Sequence, residues 1–238
     1  MAIRGHPFGR ALLAMALVCV VAGRVAAQGS GQSASQSPPV ASPDAFAPDP
    51  AETRLIWLPT ARTLPRGDMS LTLFGPMPIV QFGITDRVSA GVGFFPLSVG
   101  EGQVFLLTPK WQVVRRERTS VAVGAYHVGG FVDVNAGLAY AVVTHGDDRA
   151  AVHAGIGLWY AIAESERGST PAAYVGVERR VSRHLKVVAD ASVLESYWTA
   201  TTAVRVIRGR GAGDIGLAIL PFDDSVLVFP TFMWMMRF

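Results

Sequence analysis

The sequence predicts an all-β protein: a closed, antiparallel, up-and-down transmembrane β-barrel of about 12 strands, with about 10 as the alternative. Three observations lead there. The chain stops on a segment whose alternate residues are apolar and aromatic to the very end. Half of the 238 residues are hydrophobic and only 16% are charged, yet past the N-terminus no apolar run nears helical-span length. A spanning helix needs roughly 20 such residues. From Asp68 onward, apolar residues alternate with small or polar ones between regularly spaced turn signals.

Residues 1–27 have the order of a secretory signal peptide. Arg4, His6 and Arg10 precede an apolar run from Ala11 to Gly23, and Val25-Ala26-Ala27 offers a small-residue cleavage site. The run is too short to anchor the chain as a helix. Cleavage after Ala27 removes Arg4, Arg10 and Arg24, leaving 18 basic residues against 18 acidic, so the formal charge of +3 vanishes. A nucleic-acid partner is therefore not expected. Cys19, the single cysteine, leaves with the signal; Val18 before it does not fit a lipoprotein site, and the mature chain has no thiol chemistry.

Residues 28–50 are Ser, Gly, Gln, Pro and Ala with almost nothing to bury, the composition of a disordered periplasmic linker. Residues 51–67 differ, with Leu55, Ile56, Trp57 and Leu58 between turn formers. They are assigned as a lead-in at the periplasmic mouth. Tucking into the barrel is the other option.

The barrel proper is expected over 68–238, in segments at about 68–75, 78–84, 87–96, 103–115, 118–128, 131–144, 149–162, 171–181, 185–195, 198–208, 213–220 and 225–238. Several are 10 or more residues long, and about 9–11 tilted residues cross a bilayer. The first two are short, hence the alternative count. In the third segment Val88, Ala90, Val92 and Phe94 oppose Ser89, Gly91 and Gly93. In the sixth, Val132, Val134, Ala136, Leu138 and Tyr140 are expected to face lipid, opposite Asp133, Asn135 and Gly137. In the seventh, Val152, Ala154, Ile156, Leu158 and Tyr160 oppose His153, Gly155 and Gly157, and in the ninth Leu185, Val187, Ala189, Ala191 and Val193 oppose Lys186, Asp190 and Ser192.

Connections set the orientation. Every second link is a tight polar turn, such as Thr85-Asp86-Arg87, Ser182-Arg183-His184 or Arg208-Gly209-Arg210-Gly211; the others, such as Pro96 to Gln103 and Glu164 to Pro171, are mostly longer. Outer-membrane barrels have short periplasmic turns and longer outer loops. An even strand count then puts both termini in the periplasm. In the last segment Pro230, Phe232, Trp234, Met236 and Phe238 share one face in an extended strand. Phe232, Trp234, Met236 and Phe238 are expected to face lipid and form the assembly signal.

From about Pro59 to Phe238 the chain resembles small, mostly uncharacterised bacterial outer-membrane β-barrel proteins. The resemblance rests on Pro59 to Asp68 (PTARTLPRGD), Gly83-Ile84-Thr85-Asp86-Arg87 with its Gly-rich strand, Thr108-Pro109-Lys110 and the terminal aromatic strand. It implies fold and a bacterial outer-membrane location, with outer-membrane lipid and the barrel assembly machinery as partners. It implies no substrate.

Catalytic motifs are missing: no Gly-rich phosphate loop, no HExxH, no cysteine cluster. No catalytic residue, metal or cofactor is expected. Ser192, His153 and Asp133 or Asn135 nominally supply an esterase set, but Ser192 lies two strands from His153 and lacks a nucleophile elbow. His153 is expected to fill the lumen. Strand phase also turns Lys110, Asp133, Asn135, Glu178, Lys186, Asp190, Arg205 and Asp214 inward, a mixed-sign set suited to ion pairs across a narrow lumen. Arg205 is expected to meet Asp190 on the neighbouring strand. The inward glycines are expected to serve strand curvature, with close approach of an inserted segment as the alternative. The expected role is a narrow channel or small-solute transporter, its solute unspecified. A structural or interaction barrel with a plugged lumen is the alternative, and a lipid-acting barrel enzyme stands third.

Overall fold

The computed structural model describes residues 46, 48–74, 77–94, 104–130, 134–163, 166–195, 197–222 and 225–238. The expected signal peptide, most of the expected linker and Asp133 lie outside the described residues.

Thirteen strands follow in order: β1 (Met69–Phe74), β2 (Met77–Thr85), β3 (Val88–Phe94), β4 (Val104–Leu107), β5 (Lys110–Arg115), β6 (Thr119–Gly130), β7 (Val134–Gly146), β8 (Ala150–Ala163), β9 (Glu166–Arg180), β10 (Leu185–Leu194), β11 (Tyr197–Arg208), β12 (Gly211–Phe222) and β13 (Ser225–Arg237). Except for β4 and β5, consecutive strands pair antiparallel, and β1 pairs with β13 from Ser70↔Arg237 to Phe74↔Met233, which closes the barrel. The short β4 and β5 are one stave interrupted at Thr108-Pro109, since β3 and β6 flank both. Proline has no N–H to give the ladder, so a break falls there. The barrel therefore has twelve staves, the expected number.

Side chains are distributed inside out relative to a soluble barrel. The outward rows expose Ile156 (68%), Phe232 (63%) and Ile215 (60%), whereas Arg205, Lys186, Glu178, Asp214 and Asp190 point inward and are 0–4% exposed. On β13 the outward residues are Pro230, Phe232, Trp234 and Met236, while Met233 and Met235 are buried inside. Phe238 closes the seam by donating its N–H to Met69 O at 2.8 Å.

Two local expectations are corrected. Residues Glu164 to Pro171 are not mainly a loop: β8 and β9 extend to Ala163 and Glu166, so strand pairing begins before Pro171. The β9–β10 ladder stops at Ala172↔Leu194, so Pro171 has only β8 beside it and its missing N–H deprives no partner on the β10 side. On β7 the phase is opposite to that expected. Leu138, Tyr140, Val142 and Thr144 are buried inside. Asn135 takes the outward phase, opposite Ile162, and Gly137 pairs with outward Tyr160. Hydrophobicity misled here because both faces of β7 are apolar: outward Val143 is 42% exposed while inward Val142 is 1%.

Candidate functional site

The lumen is occupied by the chain itself. Residues 49–65 lie within the barrel, with Arg66 and Gly67 exposed at the tight-turn rim, and Ala51, Leu55, Ile56, Ala61 and Leu64 are each 0–1% exposed. The segment is a hairpin. Leu55 N–H donates to Leu58 O at 2.8 Å, Thr60 N–H donates to Thr53 O at 3.2 Å, and Arg54 bridges Pro59. Four consecutive apolar residues flanked by Arg54 and Pro59 make the tip; Leu55 and Ile56 are buried, Leu58 is half-buried and Trp57 is exposed.

Both legs of the hairpin meet the barrel at its tight-turn end. On one leg, the Phe46 ring lies 5.4 and 5.2 Å from the guanidinium carbons of Arg149 and Arg180. On the other, Gly67 N–H donates to Gly83 O at 2.9 Å and Thr63 Oγ1 donates to Asp86 O at 3.3 Å. Between these points the plug is held by side chains from the wall.

The first leg is fixed by charge. Asp49 Oδ2 accepts from Lys186 Nζ at 2.6 Å and from Arg205 Nη1 at 3.1 Å. Arg205 also chelates Asp214, directly opposite in register, through two 2.8 Å bonds, and its Nη2 donates to Leu55 O at 2.9 Å. Lys186 reaches Glu178 at 3.0 Å, and Glu178 also pairs with Arg62 from the second leg. Buried charges survive only when paired and hydrogen-bonded, and each of these is. Burial alone would raise the Asp49 carboxyl, but the Arg205 and Lys186 charges overcome it and hold the group well below the usual carboxylate range.

The tip and second leg are fixed through backbone groups. Asp190 Oδ2 accepts from the N–H groups of Ile56 at 3.0 Å and Trp57 at 3.2 Å. Lys110 Nζ donates to the carbonyls of Thr53, Thr60 and Arg62 at 2.6, 3.1 and 3.1 Å. Gln112 Nε2 donates to Ala61 O at 2.7 Å, and Thr144 Oγ1 accepts from Ala61 N–H at 2.8 Å. An irregular backbone at this depth is tolerated when the wall satisfies its polar groups.

Inward glycines make room for this segment and for lumen aromatics. A Cβ on Gly176 would collide with Leu55 Cδ1, and one on Gly83 with Pro65 O. A Cβ on Gly155 would strike the Tyr174 ring. Close approach, and not curvature alone, accounts for glycine at these three places.

The expected inward set is partly assembled at this site. Lys110, Glu178, Lys186, Asp190, Arg205 and Asp214 line the plugged half, and His153 is buried beside them with Nδ1 2.9 Å from Thr144 Oγ1. Asp190 does not pair with Arg205, contrary to the expectation from their neighbouring strands. Register puts Thr201 opposite Asp190 and Asp214 opposite Arg205, and the plug amides take the Asp190 carboxylate. Ser192 bonds Thr199 Oγ1 at 2.8 Å, so it and His153 serve different neighbours and no Ser–His pair forms. Asp49, Arg54, Arg62 and Gln112 were not anticipated. Asp49 sits in a stretch whose composition reads as linker, next to the boundary with the segment that carries the apolar Leu55–Leu58 run.

No family model and no curated protein sequence matches the chain. Among solved structures it is similar to a KdgM porin, at 7% identity and TM-score 0.49, over 72% of this chain and 96% of that one. It is also similar to a KdgM porin in complex with disordered oligogalacturonate, at 6% identity and TM-score 0.48, over 71% of this chain and 95% of that one.

Proposed function

We propose that this chain is a bacterial outer-membrane β-barrel acting as a narrow, gated channel for small solutes, with residues 49–67 as the gate. The exposed apolar exterior around a charged interior supports a lipid surround, because only lipid makes that exterior favourable over twelve staves. One observation carries the gate. The plug is noncovalent, and both its ends leave by the tight-turn rim, so it can leave the lumen without breaking a barrel strand.

The test is planar-bilayer conductance of the refolded full chain against a variant whose residues 51–62 are replaced by Gly and Ser. The variant should open frequently in discrete steps, while the native chain stays mostly closed. If neither conducts, the barrel is not a channel. A structural barrel with a permanently closed lumen is the second reading, favoured by the buried Asp49–Lys186–Glu178 network. Silence in both proteins is its expected result.

A further inference from the structure

Most of the plug is sealed, but its crown is not. Trp57 is 39% exposed, and Arg54, Leu58, Phe74 and Tyr126 are half-buried on the side away from the tight turns. Trp57 packs edge-on against Phe74, ring centroids 4.4 Å apart, and the Arg54 guanidinium lies 5.9 Å from the centre of the same Phe74 ring. Two aromatic rings and a cation thus lie together at the crown.

Among the described residues no carboxylate pairs with that cation. Around the plug, Lys186, Arg205 and Arg62 are matched by Asp49, Asp214 and Glu178. Neither Lys110 nor Arg54 has a carboxylate within ion-pair distance among the described residues; Asp190, Asp214 and Glu52 act on them only from farther away. Lys110 spends its three protons on three carbonyls, and Asp190 is engaged by the Ile56 and Trp57 amides. Arg54 forms no ion pair within 4.0 Å among the described residues. Its Nη2 donates to Ile56 O at 3.1 Å, while its buried Nε has no partner. Arginine presents a planar fork of donors suited to a two-oxygen anion, and an unpaired buried charge is costly to keep.

We infer that the plug crown is a binding site for a small organic monoanion, a carboxylate or sulfonate on an apolar or aromatic body. The anionic group would pair with Arg54, and the body would lie against Trp57, Phe74 and Leu58. This binding is independent of whether the barrel conducts.

The experiment measures binding of 2-naphthoate, 2-naphthamide and acetate to the full chain folded in amphipol, with melting temperature read in parallel. Naphthoate should bind saturably and about tenfold or more tighter than the neutral amide, as a charge-assisted contact requires. Acetate, with no apolar body, should bind far more weakly. Arg54→Gln, which keeps a donor for Ile56 O, should erase the preference for the acid. It should also raise the melting temperature of the ligand-free barrel, because the unpaired charge is gone. Phe74→Ala should weaken naphthoate while leaving the acid preference intact. Equal binding of acid and amide, or a lowered melting temperature in Arg54→Gln, would overturn the proposal by making Arg54 a structural strut.

Discussion

Asp49 holds two cations with one oxygen, since Lys186 and Arg205 both converge on Oδ2. Asp49→Asn should therefore loosen the plug. Breaking one partner of a buried pair costs roughly 3–5 kcal/mol, and melting of the folded barrel or protease access to residues 51–62 would report it. Acid should imitate the substitution. Because the folded carboxyl titrates below its unfolded value, the stabilisation is complete above about pH 4 and declines as pH falls towards the folded value. Protease access that is flat from pH 7 to pH 3 and then unaffected by stronger acid contradicts this anchor. Asp190→Ala tests a different contact: it strands the amides of Ile56 and Trp57, each buried unsatisfied donor costing about 1–3 kcal/mol. Its inward direction is legible in the β10 alternation. Its partners are not, because a pattern of period two fixes which face a residue takes and says nothing of what fills the lumen.

At the level of elements, β13 must pair on both sides or leave backbone groups unsatisfied, at several kcal/mol each in lipid. Deleting Phe238 removes the bond to Met69 O, and Trp234→Asp puts a charge on the outward face. Both should reduce heat-modifiable folded protein in membranes, and normal assembly of both would refute the closing role of β13. Gly176 gives a complementary test of the hairpin. Gly176→Val places methyl groups where Leu55 now sits, so the barrel should form but with its plug displaced, read as new protease cleavage between Ala51 and Arg62. The β13 face was visible in the sequence because its aromatic residues fall on one phase. The phase of β7 was not, since Leu138, Tyr140 and Val142 are apolar yet inward, packed against Leu58, Ala61 and Tyr174 of the filled lumen. A stave backed by a plug can be apolar on both faces, and hydropathy then does not orient it.

For the molecule as a whole, the alternation of tight turns and longer links places the turns 85–88, 115–119, 146–150, 181–185 and 208–211 at one rim. We expect this rim in the periplasm. Single cysteines at Arg116 and Arg183 should resist an impermeant thiol reagent on whole cells, whereas one at Ser169 should react; the reverse order would invert the barrel. The stave number was legible because each turn is polar and each strand alternates. The occupied interior was legible only as one of two options, because residues 51–67 hold an apolar run between turn formers with no strand alternation to say whether it sits at the mouth or inside.

One contact ties the two ends of the chain together. Arg237, the second residue from the C-terminus, donates to Asp68 at 2.8 Å and to Glu52 in the plug at 2.8 Å. The segment that fills the lumen precedes every barrel strand in the chain, and the residue that grips it ends the last strand. The seam between β1 and β13 and the seated hairpin thus share one side chain. A chain whose hairpin arrives late should linger as an open sheet with β1 and β13 apart. Arg237→Ala should lengthen that delay in refolding into vesicles more than it lowers the final yield.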